Sequence, residues 1–383
     1  MVLIYLHGKK TMATSMLALG LMSGTSMDGI DAALIKTDGK TIDCFGPTCS
    51  TTYSAKERAL LMQAVNIAKD IKNREDRSGV LGEAEEFITQ AHGQIVIDLM
   101  QREGLKSKDV DIIGFHGQTV FHKPEDGLTV QIGDGAQLAK LTGIDVVSDF
   151  RAQDMKAGGQ GAPLAPVFHR ALQQYSNARE TTVCVNIGGI SNITWISRDN
   201  EMLAFDTGPG NVLLDAWCQR HLNQPYDLDG VLASSGKVSE TVLATLLADP
   251  YYRRSPPKSL EKTYFDLNAL ATLSVEEGAA TLAAFTAQTI AMSLTHMPQP
   301  PAKWIICGGG RLNAAIMKEL RLRLNAPVIS AEEAGFSGDD IEAQAFGYLA
   351  VRTLRGLPLT FPGTTGVASP VSGGVVHRVK EAS

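Results

Sequence analysis

The sequence predicts an α/β protein built as two related halves with a binding cleft between them. Three glycine-rich turns carry most of this reading: residues 20–31, 186–192 and 307–313 each sit at the end of an apolar run. Glycines let backbone N–H groups approach an anion with no side chain in the way. Three such turns far apart in the chain suit a nucleotide held between two similar halves. A pattern of strand, glycine turn, strand, short loop and strand opens the chain and restarts near residue 181, as expected of a duplicated unit. None of the turns has the ending of a Walker loop or the G-x-G-x-x-G dinucleotide fingerprint. The phosphates are therefore expected against hairpin and strand-end turns.

In chain order, residues 17–22 form an apolar run that breaks at the first turn and 30–36 resume strand-like. Together they read as a β-hairpin with its tip at 23–29, longer than the roughly two to five residues a bare hairpin needs. Residues 41–49 read as a third strand. Apolar residues at helical spacing mark 55–68 and 80–103. Residues 110–115 read as a strand ending at His116, 128–132 and 144–147 as short strands, and 162–175 as a helix after its prolines. A polar joint follows at 175–180. The second half reads as strands 181–187, 190–196 and 202–205, then helices 211–221, 238–247 and 279–297. Strand 303–307, helix 313–324, strand 327–330 and helix 339–355 complete it. One domain is expected at 13–178, completed by 341–383, and a second at 179–340.

At 383 residues the chain is long enough for two domains. A net charge of −6 with no sustained basic run argues against nucleic acid as a partner. No run approaches the roughly 20 apolar residues of a membrane span. The apolar opening 1–6 is followed, not preceded, by Lys9 and Lys10, the wrong order for a signal peptide, and Met12 is an alternative start. Five cysteines with no C-x-x-C pair read as free thiols in a reducing, cytoplasmic setting. No zinc spacing and no G-x-S-x-G elbow is present. The apolar helix at 279–297 is expected in the core or at a subunit interface.

Residue types then suggest chemistry. In the first turn Gly24 and Gly29 allow the bend, Thr25 and Ser26 supply hydroxyls, and Met27 and Ile30 complete the loop. Asp28 or Asp31 would hold Mg²⁺ through water, since magnesium prefers carboxylate oxygens and keeps several waters. Gly188 and Gly189 are expected at phosphate, Gly308, Gly309 and Gly310 at adenosine, and Gly210 close to the nucleotide. Asp206, at the end of a β-run before Gly-Pro-Gly, is either a general base in the cleft or a turn-capping acid. Glu342 either meets a sugar or, with Asp339 and Asp340, simply suits a helix N-terminus. His116 is a structural histidine or, with Gln118 and Thr119, a sugar contact.

These turns resemble the two phosphate motifs and the adenosine motif of the sugar kinase, Hsp70 and actin superfamily, whose fold is the actin-like ATPase (ribonuclease H-like) type. More closely, the chain resembles the anhydro-N-acetylmuramic acid kinase family. The residues that carry this are 22–31 (Met-Ser-Gly-Thr-Ser-Met-Asp-Gly-Ile-Asp), 116–119 (His-Gly-Gln-Thr), 131–134 (Gln-Ile-Gly-Asp) and 149–151 (Asp-Phe-Arg). Further on come 158–164, 186–192 (Asn-Ile-Gly-Gly-Ile-Ser-Asn), 205–211 (Phe-Asp-Thr-Gly-Pro-Gly-Asn) and 338–343. The match is collinear from about residue 17 to 366, with Met27 where Leu is expected. The resemblance implies an ATP-dependent enzyme of cell-wall recycling. Such an enzyme opens the 1,6-anhydro ring of anhydro-N-acetylmuramic acid with water and phosphorylates O6, with Asp206 as the base. It further implies a homodimer. Arg151, after Asp149-Phe150, either pairs with the lactyl carboxylate of a muramic acid or forms a structural ion pair with Asp149 or Asp154, and Gln160 either binds the N-acetyl group or braces a loop. An ordinary sugar-hydroxyl kinase and a nucleotide-driven switch are the competing readings, since fold does not fix function.

Overall fold

A computed structural model describes residues 14–260 and 267–379. The opening run 1–6, Met12 and the expected domain start at 13 lie outside the described residues. The chain begins with an antiparallel meander of β1 (Met16–Ser23), β2 (Gly29–Thr37) and β3 (Ile42–Thr52). Helices α1 (Ala55–Ala68) and α2 (Val80–Glu103) fall where apolar spacing put them. A Ser54/Glu57 capping box starts the first, and Gly104 in the left-handed conformation ends the second. Then come β4 (Ile112–Lys123), β5 (Leu128–Ile132), α3 (Gly135–Thr142), β6 (Val146–Ser148), α4 (Ala152–Lys156) and α5 (Pro166–Tyr175).

The second half opens on another antiparallel meander, β7 (Thr182–Ile187), β8 (Ile190–Ile196) and β9 (Met202–Pro209). It continues through α6 (Val212–Leu222), α7 (Val231–Ser235), α8 (Glu240–Leu247) and α9 (Val275–Met292) to β10 (Lys303–Cys307), α10 (Ala314–Arg323) and β11 (Val328–Ser330). Helix α11 (Ile341–Leu354), the short α12 (Pro362–Thr365) and β12 (Val375–His377) close the chain.

The two sheets repeat one topology. The first runs β3-β2-β1-β4-β6, with β4 parallel to β1 and β6 parallel to β4; the second runs β9-β8-β7-β10-β11 with the same senses. The fold is therefore the α/β type the sequence predicted, two related halves of the actin-like kind. The C-terminal segment returns to the first sheet, where β12 pairs with β6 and α11 lies across β1, β2 and β4. Glycines make that approach possible. A Cβ on Gly20 would sit 1.7 Å from the Ala343 carbonyl oxygen, and one on Gly114 would sit 2.0 Å from that of Phe346. Phe168 of α5 and Phe346 and Leu349 of α11 share one buried cluster with residues of both sheets, including Ile112 and Ile305, which joins the halves.

Two strands run further than expected. Strand β4 continues through Lys123, so His116 is mid-strand instead of at its end. Strand β9 continues to Pro209, so Asp206 lies opposite Asn192 inside a ladder; β9 is an edge strand, where proline is tolerated. Helix α3 is an element the sequence reading leaves unassigned; the Asp134 carboxylate caps it, accepting N–H bonds from Ala136 and Gln137. Helix α9 starts earlier than expected, on a Ser274/Glu277 capping box, and is buried in the core of the second half. No helix among the described residues is long and apolar enough to cross a membrane.

Candidate active site

The N-terminus of α11 is where the two halves meet. Seated on Gly20 and Gly114, the helix brings Asp339, Asp340 and Glu342 to the β1–β2 turn. Asp31, opposite Met22 in the hairpin, is pushed up to about 7 by burial and by the charges of Asp28, Asp340, Glu342 and Asp339. Asp340 makes no side-chain capping bond. Glu342 instead accepts a long bond from Asn186 Nδ2 at 3.4 Å, across the halves, and surrounding protein raises its pKa.

The first turn is braced from behind. The Ser23 hydroxyl donates to Gln118 Oε1 at 2.6 Å and is 2.8 Å from the Tyr53 hydroxyl, while Gln118 Nε2 donates to the Gly24 carbonyl at 3.1 Å. Gln118 is 0% exposed. Both ends of its amide are thus used in holding the turn. The tip itself is open: Thr25, Ser26 and Asp28 are exposed, with Ser26 Oγ donating to Asp28 at 2.8 Å. Met27 sits at φ 53, an uncommon conformation for a side chain of its size. Gly29 is required by packing, since a Cβ would fall 2.0 Å from the Thr51 carbonyl oxygen.

The other glycine turns converge. Gly210 N–H donates to the Gly189 carbonyl at 2.9 Å, and Asn211 N–H to that of Gly188 at 2.8 Å. A Cβ on Gly210 would meet the Gly188 carbonyl at 2.2 Å; one on Gly308, at φ +72, would meet Asn186 Oδ1 at 2.3 Å. A buried arginine that sequence reasoning missed ties this group to α11. Arg311 Nη1 donates to the Gly308 carbonyl at 3.1 Å, and the guanidinium pairs with Glu332 and Asp339, both at 2.9 Å. Its place directly after Gly310 was the available signal.

On the first half's wall, Arg151 Nη1 donates to the Gly161 carbonyl at 2.8 Å and Nη2 to His116 Nε2 at 3.0 Å. Arginine offers no acceptor, so His116 is a neutral ring whose Nδ1–H donates to the Gly117 carbonyl at 2.7 Å. Burial and the Arg151 charge hold its pKa well below the usual range. Arg151 pairs with neither Asp149, which binds Arg74 at 2.7 Å, nor Asp154, which accepts from Gly161 N–H and the Thr365 hydroxyl. Its Nε is buried without a partner among the described residues, and burial lowers its pKa to about 10. Thr119 is half-buried and accepts from Gln131 at 3.3 Å. Gln160 accepts from Ser259 of the other half at 3.0 Å.

Asp206 is gripped by a segment the sequence did not flag. Its Oδ2 accepts from Leu260 N–H at 2.9 Å, its own N–H donates to the Lys258 carbonyl at 3.1 Å, and the Tyr251 hydroxyl donates to its carbonyl at 2.6 Å. Burial pushes the carboxyl up to about 7, against the pull of the Leu260 N–H and the Lys258 charge. A carboxyl that is half-charged near neutrality is able to take up a proton from water.

Comparison with known proteins identifies the family. A family model described as anhydro-N-acetylmuramic acid kinase matches residues 16–378. The anhydro-N-acetylmuramic acid kinase of Methylobacterium nodulans is 49% identical over 373 residues, covering 95% of this chain and 100% of the relative. That of Rhodopseudomonas palustris strain BisB18 is 50% identical over 364 residues, again 95% and 100%. The chain belongs to the anhydro-N-acetylmuramic acid kinase family.

Proposed function

We propose that this chain hydrolyses the 1,6-anhydro ring of 1,6-anhydro-N-acetylmuramic acid and transfers the ATP γ-phosphoryl group to O6. The products are N-acetylmuramic acid 6-phosphate and ADP, and the setting is cytoplasmic recycling of peptidoglycan. The observation that carries the reading is Asp206, a carboxyl pushed up to about 7 on the second half's wall. There it takes a proton from the water that attacks the anomeric carbon; the released O6 is the phosphoryl acceptor. Arg151 receives the lactyl carboxylate, its buried Nε being a donor without a partner among the described residues. Thr119, His116 and Gln160 complete the sugar contacts, and Glu342 orients the water or a sugar hydroxyl.

The nucleotide lies between the first turn and the group Gly188, Gly189, Gly210 and Gly308–Gly310. Among the described residues no three metal-ligating side chains gather into a closed site. Magnesium fits all the same, because it takes one or two carboxylates, phosphate oxygens and waters, and the carboxylates around Asp31 carry repulsion a cation would relieve. Asp28 and Asp31 would hold it, and it would neutralise charge on the transferring phosphates. The first domain comprises 13–178 with 341–383, the second 179–340, and the enzyme works as a homodimer.

The test is ADP release from Mg²⁺ and ATP with and without the anhydro sugar, with the product weighed. A sugar heavier by phosphate plus one water is expected. Phosphate without water would mean an ordinary sugar kinase, and ADP release stimulated only by a protein would mean a switch.

A further inference from the structure

Asp206 is held from outside its own strand by a strap, residues 258–260. The strap takes the Asp206 N–H on the Lys258 carbonyl and returns the Leu260 N–H to Oδ2, at 3.1 and 2.9 Å. Between these bonds the Lys258 ammonium lies over the ring faces of Tyr251 and Phe205, 4.8 and 5.4 Å from their centroids, and donates to the Tyr251 carbonyl at 3.4 Å. The next residue, Ser259, donates to Gln160 in the first half. Titratable and charged groups around this spot are Lys258 itself, Arg254 and Tyr251 with their 6.0 Å cation–ring contact, Tyr252 against Tyr251, and His296 edge-on to Phe205 at 5.5 Å. Asp206 is the carboxylate whose charge acts on Lys258.

We propose that Lys258 is a positioning residue for the reaction: clamped over two aromatic rings on the strap that grips Asp206, its ammonium keeps that carboxylate in the charged, proton-accepting form. This rests on Asp206 being the base. A cation fixed near a partly desolvated carboxylate favours its ionised state, and the aromatic faces hold the cation without neutralising it. Burial works against both charges, drawing Lys258 down to about 8 while Asp206 rises to about 7.

The experiment measures kcat against pH for the wild type, Lys258→Met, Lys258→Arg and Asp206→Asn, with ATP KM and melting temperature beside it. In Lys258→Met the acid limb is expected to move to higher pH by about one pH unit. Its kcat at pH 6 then falls about tenfold while ATP KM and melting temperature hold. Lys258→Arg restores the wild-type limb. An unmoved limb, a loss of equal factor at every pH, or an arginine variant that behaves like methionine overturns the proposal. If Lys258→Met does not fold, Lys258→Gln is read by the same criteria. Near-normal turnover in Asp206→Asn removes the base itself; a dead Asp206→Asn with an unmoved Lys258→Met limb removes only the role of Lys258.

Discussion

Asp31 on β2 and Asp206 on β9 are both pushed up to about 7, and they reach that value by different routes. Burial is the largest cause for each. Around Asp31 the remaining causes all add to it: Asp28, Asp340, Glu342 and Asp339 are four further negative charges. Around Asp206 the remaining causes oppose it: the Leu260 N–H and the Lys258 ammonium both favour the charged form. The first site is short of positive charge and suits a cation arriving with phosphates. The second already has its cation, which suits a group that must gain and lose a proton.

The largest expected effect separates the two acids directly. Asp206→Asn is expected to lower kcat by about 10³-fold, the scale of a lost general base, with ATP KM nearly unchanged. Asp31→Asn is expected instead to raise the Mg²⁺ concentration for half-maximal activity by about tenfold, ~1.4 kcal/mol. A common loss in both variants, with no separate magnesium effect, would erase the distinction. With Asp206 as the proposed base, kcat in the wild type should fall about tenfold per pH unit below about 7.

Next in size is the seat of α11. Gly20→Ala puts a methyl 1.7 Å from the Ala343 carbonyl oxygen, and the helix must lift. A stability loss of about 3 kcal/mol is expected in chemical denaturation. Lifting α11 also carries Asp340 and Glu342 away from Asp31 and leaves Asp206 where it is. The variant's magnesium requirement should therefore change while the acid limb of its kcat profile does not. A shifted limb would show that the two acids share one environment.

Stability should run opposite to activity at Asp206. The folded carboxyl titrates near 7 and an unfolded one near 3.9. Between those values the native state holds a proton that the unfolded chain has released, so this contribution is fully present below about pH 4 and is lost as pH rises through 7. Because the residue keeps some solvent contact, the effect is on the order of 1–2 kcal/mol, well under what three pH units would give. Asp206→Asn, neutral throughout, should match the wild type near pH 4 and exceed it above pH 7 in denaturation experiments. Equal pH dependence in the two proteins would mean that Asp206 titrates as an ordinary surface acid.

What could be read in the sequence follows from range. Helices α1 and α2 were placed residue for residue because their apolar spacing and flanking signals are local. Strands β4 and β9 were cut short at His116 and Asp206, since Gly-Gln-Thr and Thr-Gly-Pro-Gly look like turns until a neighbouring strand supplies the ladder. The repeated sheet order was visible as a repeated pattern, and the glycines at 188, 189, 210 and 308 do come together. Lys258 and Leu260 were not visible, because their partner lies more than 50 positions away and the stretch around them has no periodicity. Gly114 was likewise silent: a glycine that admits a helix backbone has no signature until the helix is known to lie there.

The smallest expected effect falls on Gln118. Sequence proximity to His116 put it beside the sugar, whereas its amide joins Ser23 to the Gly24 carbonyl behind the first turn. A residue that holds the turn bearing Asp28 should report on nucleotide and magnesium, the Asp31 side of the comparison. Gln118→Leu leaves the Ser23 hydroxyl without that acceptor in a buried place, a cost of about 1 kcal/mol. The expected reading is a rise of about fivefold in ATP KM, with the sugar KM and the Asp206 acid limb unmoved. A rise in sugar KM alone would return Gln118 to the sugar wall, and would mean that the side chain leaves its two bonds when substrate binds. Steady-state kinetics with each substrate varied at saturating levels of the other distinguishes these, because each KM then reports on its own substrate.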